Sequence, residues 1–334
     1  MDGLPQTLPL QMIATPQRTL KASIGCVGIG LHSGRKIALT LHPAPIGSGI
    51  VFRRSDMGVE IPARFDHVVE TRLCTVLARP DRPEARIATV EHVMAALAGC
   101  GISNAVVEID GPEVPILDGS AASFVFLVDC AGILVQDAAA PVIEILRPVR
   151  VTQGDAMVEL RPAPFGFDMA LSIDFAAAAI GRQALSLRLS AESFRGELAR
   201  ARTFTLASEI ASLRAAGLAL GGSLENAVVV DEARVLNPAG LRMPDEFVRH
   251  KLLDAVGDLA LAGAQLRGRF IGHRAGHALN NQLLRALFAD DANWAIAPTG
   301  RLAGEASPML RGSAGLPSLA AWQERHLPVA AAPV

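Results

Sequence analysis

The sequence lacks an excess of charge of either sign, a long apolar run and a recognisable leader. Its 31 Lys and Arg residues nearly balance 33 Asp and Glu residues, for a formal net charge of −2, so we expect no general attraction to nucleic acid. The longest uncharged stretches stop short of the roughly 18 apolar residues of a spanning helix. The N-terminus has neither a basic start nor a small-residue cleavage site after an apolar run. These absences predict a cytoplasmic protein without an integral membrane segment.

Cysteine and lysine are both scarce. The four cysteines form no C-x-x-C pair, which argues against a disulfide scaffold and against a cysteine-based zinc site. Arginine far outnumbers lysine, and Lys251 is one of only three lysines. Apolar residues make up 50% of the 334 positions and charged residues 19%. This composition excludes a disordered chain and suffices for one large or two modest domains.

The predicted elements follow the same order twice along the chain. The first part opens with strands over residues 19–27 and 36–42 and continues, at residues 88–132, as helix, strand and helix. The second part opens with strands within residues 141–175 and continues as helix, strand and helix at residues 246–290. Consecutive strands are too closely spaced for a doubly wound sheet. We therefore expect a duplicated α+β unit.

The duplication predicts two similar domains, one spanning residues 17–138 and the other residues 139–305. Corresponding helices would face each other across a cleft between the domains, where small-molecule sites tend to lie. Residues 1–16 and 306–334 are expected to be flexible extensions. The glycine-rich segment GCVGIGLHSG does not fit the G-x-G-x-x-G pattern and lies between predicted strands, so a dinucleotide-binding loop is rejected.

One face of the helix near residue 246 carries an unusual set of polar residues. His250, Asp254 and Asp258 recur at intervals of four, so they project from roughly one side. In the other domain, Glu91 and His92 begin the corresponding helix. The two histidines and Asp254 would supply the ligand set of an open catalytic zinc site, with Glu91 beside the metal as a base. The H-x-x-x-D pattern by itself is more often an ordinary exposed pair on a helix.

Six segments spread along the chain together resemble one enzyme family. In chain order they are GIGLHSG, TVEHVMAALAG, PILDGSA, RARTF, FVRHKLLDAVGD and GHALNN. They resemble the UDP-3-O-acyl-N-acetylglucosamine deacetylases, the zinc amidases of lipid A synthesis, and the last two segments are highly specific. The resemblance implies an α+β fold of two β-α-α-β domains packed as a two-layer sandwich. Each domain would carry a small insert, and the active site would lie in the interdomain cleft.

The resemblance also implies roles in the reaction. The zinc ligands would be His92, His250 and Asp254. Glu91 would be the base that activates the attacking water, and His277 would stabilise developing charge and protonate the departing amine. Asp258 would orient His277 and favour its charged form. Thr203 would donate a hydrogen bond to the oxyanion.

Further residues are placed at the substrate by the same resemblance. Phe204 and Lys251 match residues that contact the sugar and its polar groups. Arg274 stands where a basic residue lies near the diphosphate, and Asp174 and Phe175 stand where uridine is expected to bind.

An apolar insert in the second domain, at residues 205–224, matches the family segment that builds a passage for the acyl chain. Its lining would be Leu206, Ile210, Leu218 and Leu224. From its residues alone, the segment could equally be a buried helix and turn. The nearby Arg72, where relatives can carry an apolar residue, leaves the preferred acyl length open.

The expected reaction is hydrolysis of the N-acetyl group of UDP-3-O-(3-hydroxyacyl)-N-acetylglucosamine to acetate and a free amine, the committed step of lipid A biosynthesis. Protonated Glu91 competes with His277 as the final acid, and Fe²⁺ competes with Zn²⁺ as the metal. The alternatives are a zinc amidase acting on another acylated amino sugar and a non-catalytic lipid or sugar-nucleotide binding protein. The expected partner is the nucleotide sugar, bound by a monomer that transiently contacts the inner membrane and binds no nucleic acid.

Overall fold

The computed structural model describes residues 15–297. Most of the predicted N-terminal extension and the whole predicted C-terminal tail lie outside this range. Within it, every helix is too short or too polar to cross a membrane. The site residues predicted from the sequence all fall inside the described range.

The first half of the described chain forms ten strands and two α-helices. The strands are β1 (Pro16–Leu20), β2 (Ile24–Ile29), β3 (Lys36–Pro43), β4 (Ile50–Arg54), β5 (Val59–Pro62), β6 (Val68–Glu70), β7 (Val76–Arg79), β8 (Arg82–Ile87), β9 (Ala105–Ile109) and β10 (Ile133–Ala139). The helices are α1 (Glu91–Gly99) and α2 (Ala122–Ala131). Strand β3 shows how the sequence determines these elements, because its alternating apolar residues point into the core and the residues between them point outward.

The second half contains ten more strands and four α-helices among the described residues. The strands are β11 (Val142–Ile145), β12 (Val149–Gln153), β13 (Ala156–Arg161), β14 (Phe167–Asp174), β15 (Arg182–Arg188), β16 (Phe204–Leu206), β17 (Val228–Asp231), β18 (Arg234–Val235), β19 (Gln265–His273) and β20 (Trp294–Ile296). The helices are α3 (Ala191–Ser193), α4 (Ala207–Ala215), α5 (Glu246–Ala260) and α6 (His277–Phe288). Strand β14, with the sequence FDMALSID, again alternates buried and half-buried residues.

The two halves share one sheet topology. In the first half the main sheet has the order β2-β3-β9-β4-β5, with β4 parallel to β9 and the other pairs antiparallel. In the second half the order is β12-β13-β19-β14-β15, with β14 parallel to β19 and the other pairs antiparallel. The antiparallel pairs β1–β10 and β11–β20 also correspond. The predicted duplicated α+β fold is confirmed, while the boundary between residues 138 and 139 stays a prediction.

Each half carries an insertion just before its first long helix. In the first half the insertion is the three-stranded sheet β6-β7-β8, which precedes α1. In the second half it contains α3, α4 and the sheet β16-β17-β18, and it precedes α5. Both insertions therefore end next to helices that carry predicted site residues.

Helices α1 and α5 pack directly against each other between the two main sheets. Eight of the nine residues of α1 are buried, which explains why its sequence is apolar on almost every side. The contact is closest at Gly257, where a Cβ atom would lie 2.0 Å from the carbonyl oxygen of Glu91. Glycine thus permits the backbone of α5 to approach the first turn of α1.

The strand predicted over residues 19–27 is wrong in one respect, because the structure divides it into β1 and β2. Leu20 pairs with Ile133 of β10, whereas Ile24 pairs with Leu41 of β3. The chain changes from one sheet to another at residues 21–23, and Lys21 donates its backbone N–H to the Gly132 carbonyl at this point. An apolar strand pattern cannot reveal which partner each residue pairs with.

Candidate active site

Three potential metal ligands converge where α1 meets α5. His92 lies in the first turn of α1, and His250 and Asp254 lie one turn apart on α5. Their ligand atoms lie within 4.8 Å of one another, and all three side chains are buried. The grouping across two distant segments is the arrangement that the sequence predicted.

The protonation of His250 suits a metal ligand. Its Nδ1 atom lies 3.0 Å from the carbonyl oxygen of Ala201, so this nitrogen can donate its proton and leave the Nε2 lone pair for a metal. Burial lowers the pKa of His250 to about 4, and a neutral imidazole is the form that binds metals. His92 differs, because its Nδ1 atom has no hydrogen-bond partner among the described residues.

Asp254 has one oxygen that the protein leaves unpaired. Its Oδ2 atom accepts a hydrogen bond from Lys251 Nζ at 2.8 Å. Its Oδ1 atom is buried, accepts no hydrogen bond from residues 15–297, and lies 3.2 Å from Nε2 of His250 and 3.7 Å from Nε2 of His92. An unpaired buried acceptor is costly, and a cation between these three atoms would remove that cost. The donor set, two imidazoles and a carboxylate, fits Zn²⁺ or Fe²⁺.

An acid–base pair lies beside the candidate metal centre. Glu91 Oε2 accepts a hydrogen bond from the backbone N–H of Thr75 at 3.0 Å, and Glu91 Oε1 lies 3.7 Å from Nε2 of His277. Burial raises the pKa of Glu91. Burial disfavours the charged form of His277, but the neighbouring charges of Asp258 and Glu91 outweigh it and raise the pKa of His277 to about 9. The two groups are therefore suited to accept and donate protons respectively.

Asp258 holds His277 in place, and two residues that the sequence analysis did not single out hold Asp258. His277 Nδ1 lies 2.8 Å from Asp258 Oδ2, which also accepts from Asn280 Nδ2 at 2.9 Å. The other oxygen, Oδ1, accepts from the Thr75 hydroxyl at 2.6 Å. Asn280 lies in the GHALNN segment and Thr75 follows Cys74. No local pattern could show that a residue near position 75 reaches one near position 258.

The candidate centre opens into a cavity of about 370 Å³. The large apolar side chains that line it are Leu31, Leu73, Phe175, Phe204 and Leu206. Phe204 packs edge-to-face against Phe175 and Phe247, with ring centroids 5.5 and 5.0 Å apart. The aromatic part of the cavity adjoins the polar centre, because the ring centroids of Phe204 and His250 lie 6.2 Å apart.

The predicted substrate residues, and Thr203 as the predicted oxyanion donor, are divided by their position. Thr203, Phe204, Lys251, Phe175 and Leu206 line the cavity. The others do not: Asp174, Arg274, Ile210, Leu218 and Leu224. Arg274 Nη1 lies 3.8 Å from a carboxylate oxygen of Asp155, and Asp174 accepts a hydrogen bond from Arg182. Leu224 is 42% exposed. Their assigned roles stay predictions.

Cys74 and the glycine-rich turn also border the cavity. Burial raises the pKa of the Cys74 thiol to about 12, which disfavours the thiolate that would bind a metal. In the turn between β2 and β3, the backbone N–H groups of His32 and Ser33 donate to the carboxylate of Glu113, each at 2.8 Å. A Cβ on Gly30 would lie 2.4 Å from the same carboxylate, so the absence of a side chain at Gly30 gives this carboxylate room beside the turn.

The duplicated fold, the convergent ligands and the adjacent acid–base pair define a metal-dependent hydrolase. The sequence model of one family, described as UDP-3-O-acyl N-acetylglycosamine deacetylase, matches residues 17–289. This match covers both halves of the fold and every residue of the candidate centre.

Individual relatives agree with the family match. A UDP-3-O-acyl-N-acetylglucosamine deacetylase of Anaeromyxobacter dehalogenans (strain 2CP-C) is 50% identical over 310 residues, which cover 92% of this chain and 98% of the relative. Proteins of the same name from Shewanella halifaxensis (strain HAW-EB4) and Shewanella oneidensis are each 51% identical over 284 residues, covering 84% of this chain and 92% of the relative. The chain belongs to the UDP-3-O-acyl-N-acetylglucosamine deacetylase family. The family and the enzyme class expected from the sequence, a deacetylase, are confirmed.

Proposed function

We propose that this chain hydrolyses the N-acetyl group of UDP-3-O-(3-hydroxyacyl)-N-acetylglucosamine, in lipid A biosynthesis, and that its metal is Zn²⁺. The observation that carries the proposal is the convergence of His92, His250 and Asp254 beside Glu91 and His277 in one cavity. The family membership supports the reaction, since the relatives carry the deacetylase name. Zinc suits the open set of two imidazoles and one carboxylate, which leaves a position for water or substrate.

The metal would be held by the two imidazole Nε2 atoms and by Asp254 Oδ1, the atom that no protein donor satisfies. When bound, it would supply Lewis-acid chemistry for the acetamide carbonyl and for water. Lys251, which donates to the other oxygen of Asp254, fixes the orientation of this carboxylate. The protein thus prepares one unpaired oxygen for the metal.

Glu91 is the proposed base. Its raised pKa results from burial, and its Oε2 atom is fixed by the Thr75 amide, so Oε1 remains free to take the proton of the attacking water. Thr203, which lines the cavity, donates a hydrogen bond from its hydroxyl to the developing oxyanion. His277 then donates a proton from Nε2 to the departing amine, because Asp258 stabilises its charged form.

The apolar wall is the proposed site for the acyl chain. Phe204 and Leu206 belong to the second insertion, and the Leu31 carbonyl accepts a hydrogen bond from the Gly221 N–H of the same insertion. Burial of an acyl chain here would bring its 3-O linkage, and therefore the neighbouring acetamide, to the polar end. Phe204 and Lys251 lie at the junction, where the sugar would bind.

Acetate release tests the proposal. The purified full-length protein is stripped of metal, supplied with one equivalent of Zn²⁺ or Fe²⁺, and assayed on the acylated UDP sugar. We expect Zn²⁺ to restore turnover and the substrate without the acyl chain to react much more slowly. Tight Zn²⁺ binding without acetate release would refute the proposed substrate and favour another acylated amino sugar or a binding role.

A further inference from the structure

A single buried threonine contacts residues on both sides of the proposed catalytic centre. Thr75 lies between β6 and β7, in the insertion of the first half, and is 1% exposed. Its backbone N–H donates to Glu91 Oε2 at 3.0 Å, and its carbonyl accepts from Val90 N–H at 3.3 Å. Its hydroxyl donates to Asp258 Oδ1, on α5 of the other half, at 2.6 Å. His277 forms ion pairs with both carboxylates, but among the described residues Thr75 alone forms hydrogen bonds with both the proposed base and the acid that orients His277.

The hydrogen bonds of Asp258 show what the hydroxyl contributes. Asp258 is 2% exposed, so its carboxylate is shielded from bulk solvent. Its Oδ2 atom accepts from His277 Nδ1 and Asn280 Nδ2, and both of these donors belong to α6. Its Oδ1 atom accepts from Thr75 alone among the described residues. Without that hydroxyl, Oδ1 has no hydrogen-bond donor among the described residues, and the carboxylate can rotate about the Cβ–Cγ bond of Asp258.

Rotation of Asp258 would alter the geometry of the proton transfer. His277 Nε2 lies 3.7 Å from Glu91 Oε1, and the direction of Nε2 follows from the bond between Nδ1 and Asp258. The amide of Thr75 holds Glu91 and the hydroxyl of Thr75 holds Asp258, so one residue sets the separation of the proposed base and the proposed acid. Small displacements of such groups are costly for the rate.

We propose that Thr75 is a positioning residue, contributed by the insertion of the first half, that aligns Glu91 with His277 by holding Asp258 across the domain interface. The inference rests on the proposed function for its kinetic consequence and on the geometry alone for its structural one. It assigns a role in the reaction to an insertion that contributes neither a metal ligand nor a proton-transfer group.

The test compares Thr75→Val, which removes the hydroxyl at nearly constant shape, with Thr75→Ser, which keeps it. Both keep the backbone N–H that bonds Glu91. We expect the valine variant to bind one equivalent of Zn²⁺ and to lose about 10- to 100-fold in kcat, with KM changed by less than about threefold because no substrate contact is removed. The serine variant should regain most of the activity.

Thr19→Val is a matched control. Thr19 is 2% exposed, lies in β1 of the same half, and uses its hydroxyl to accept from the Ala44 N–H at 2.9 Å. Its loss removes a comparable buried hydrogen bond away from the centre, so kcat should be unchanged. In an Asp258→Ala background, Thr75→Val should add less than about a twofold loss, since the two residues act through one bond.

A second measurement is independent of turnover. In metal-free protein with ¹⁵N-labelled histidine, the Nδ1 proton of His277 should give a downfield NMR signal that shifts or broadens in Thr75→Val and returns in Thr75→Ser. An unchanged signal and an unchanged kcat in Thr75→Val would overturn the proposal, as would a serine variant as impaired as the valine variant. If the wild-type protein releases no acetate but the signal responds as expected, the proposed function fails and the positioning role stands.

Discussion

Helices α1 and α5 hold equivalent positions in two copies of one fold, yet they carry the site differently. Helix α5 presents His250, Asp254 and Asp258 along one face over several turns. Helix α1 contributes only its first two residues, Glu91 and His92, and is otherwise apolar. The duplication therefore supplies the scaffold, and the chemistry is divided between the copies. Neither half alone holds the proposed three-ligand set.

The first prediction removes a proposed metal ligand on α5 and has the largest expected effect. Asp254→Ala removes the oxygen that no protein donor satisfies, so the variant should lose bound Zn²⁺ and at least about 10³-fold in turnover, more than the loss of one oxyanion donor. Metal analysis and acetate release measure the two effects.

Asp245→Ala is the control for that variant. Asp245 lies just before the same helix and bonds Arg249, away from the cavity. It should keep both metal and activity. Full Zn²⁺ occupancy in Asp254→Ala would show that the carboxylate is not a ligand.

The second prediction changes the proposed base on α1 and leaves the proposed metal ligands intact. Glu91→Gln keeps the shape and can still accept from the Thr75 amide, but its amide takes no proton from water. We expect normal Zn²⁺ content and a loss of about 10²- to 10⁴-fold in kcat, the usual contribution of a general base. Glu108→Gln, on β9 of the same half where Glu108 pairs with Arg53, should be unaffected. Wild-type turnover in Glu91→Gln would remove Glu91 from the mechanism.

The third prediction concerns the contact between α1 and α5. Gly257→Ala adds a Cβ atom 2.0 Å from a backbone oxygen of Glu91, and a backbone contact cannot yield as a flexible side chain does. The steric cost should outweigh the gain of about 1 kcal/mol in helix propensity, for a net destabilisation of about 1–3 kcal/mol. Thermal or urea unfolding measures it.

Gly196→Ala is the matched control, because a Cβ there meets nothing within 4 Å. Gly196 lies in a π-helical turn, so its alanine variant should be as stable as wild type or up to about 1 kcal/mol more stable. Equal stabilities for the two alanine variants would mean that the helices do not approach as closely as described.

Much of the architecture was predictable because its signals are local. The repeated order of helix, strand and helix follows from periodicity, and α5 was recognisable because residues at intervals of four share one face. The division of the first predicted strand into β1 and β2 was not predictable, since Leu20 and Ile24 differ only in their pairing partners. Pairing depends on residues more than a hundred positions away in one case.

The sequence by itself determined the family, through six ordered segments, and the types of side chain available for catalysis. Only the tertiary structure decided which of them meet. His92 reaches His250 because Gly257 lets α5 approach α1, and Thr75 reaches Asp258 because an insertion folds over the same junction. The tertiary structure also places Arg274 and Asp174 outside the cavity that Lys251 and Phe204 line. Periodicity along a chain fixes which way neighbouring side chains point, whereas distances between remote side chains depend on how closely helices and sheets pack.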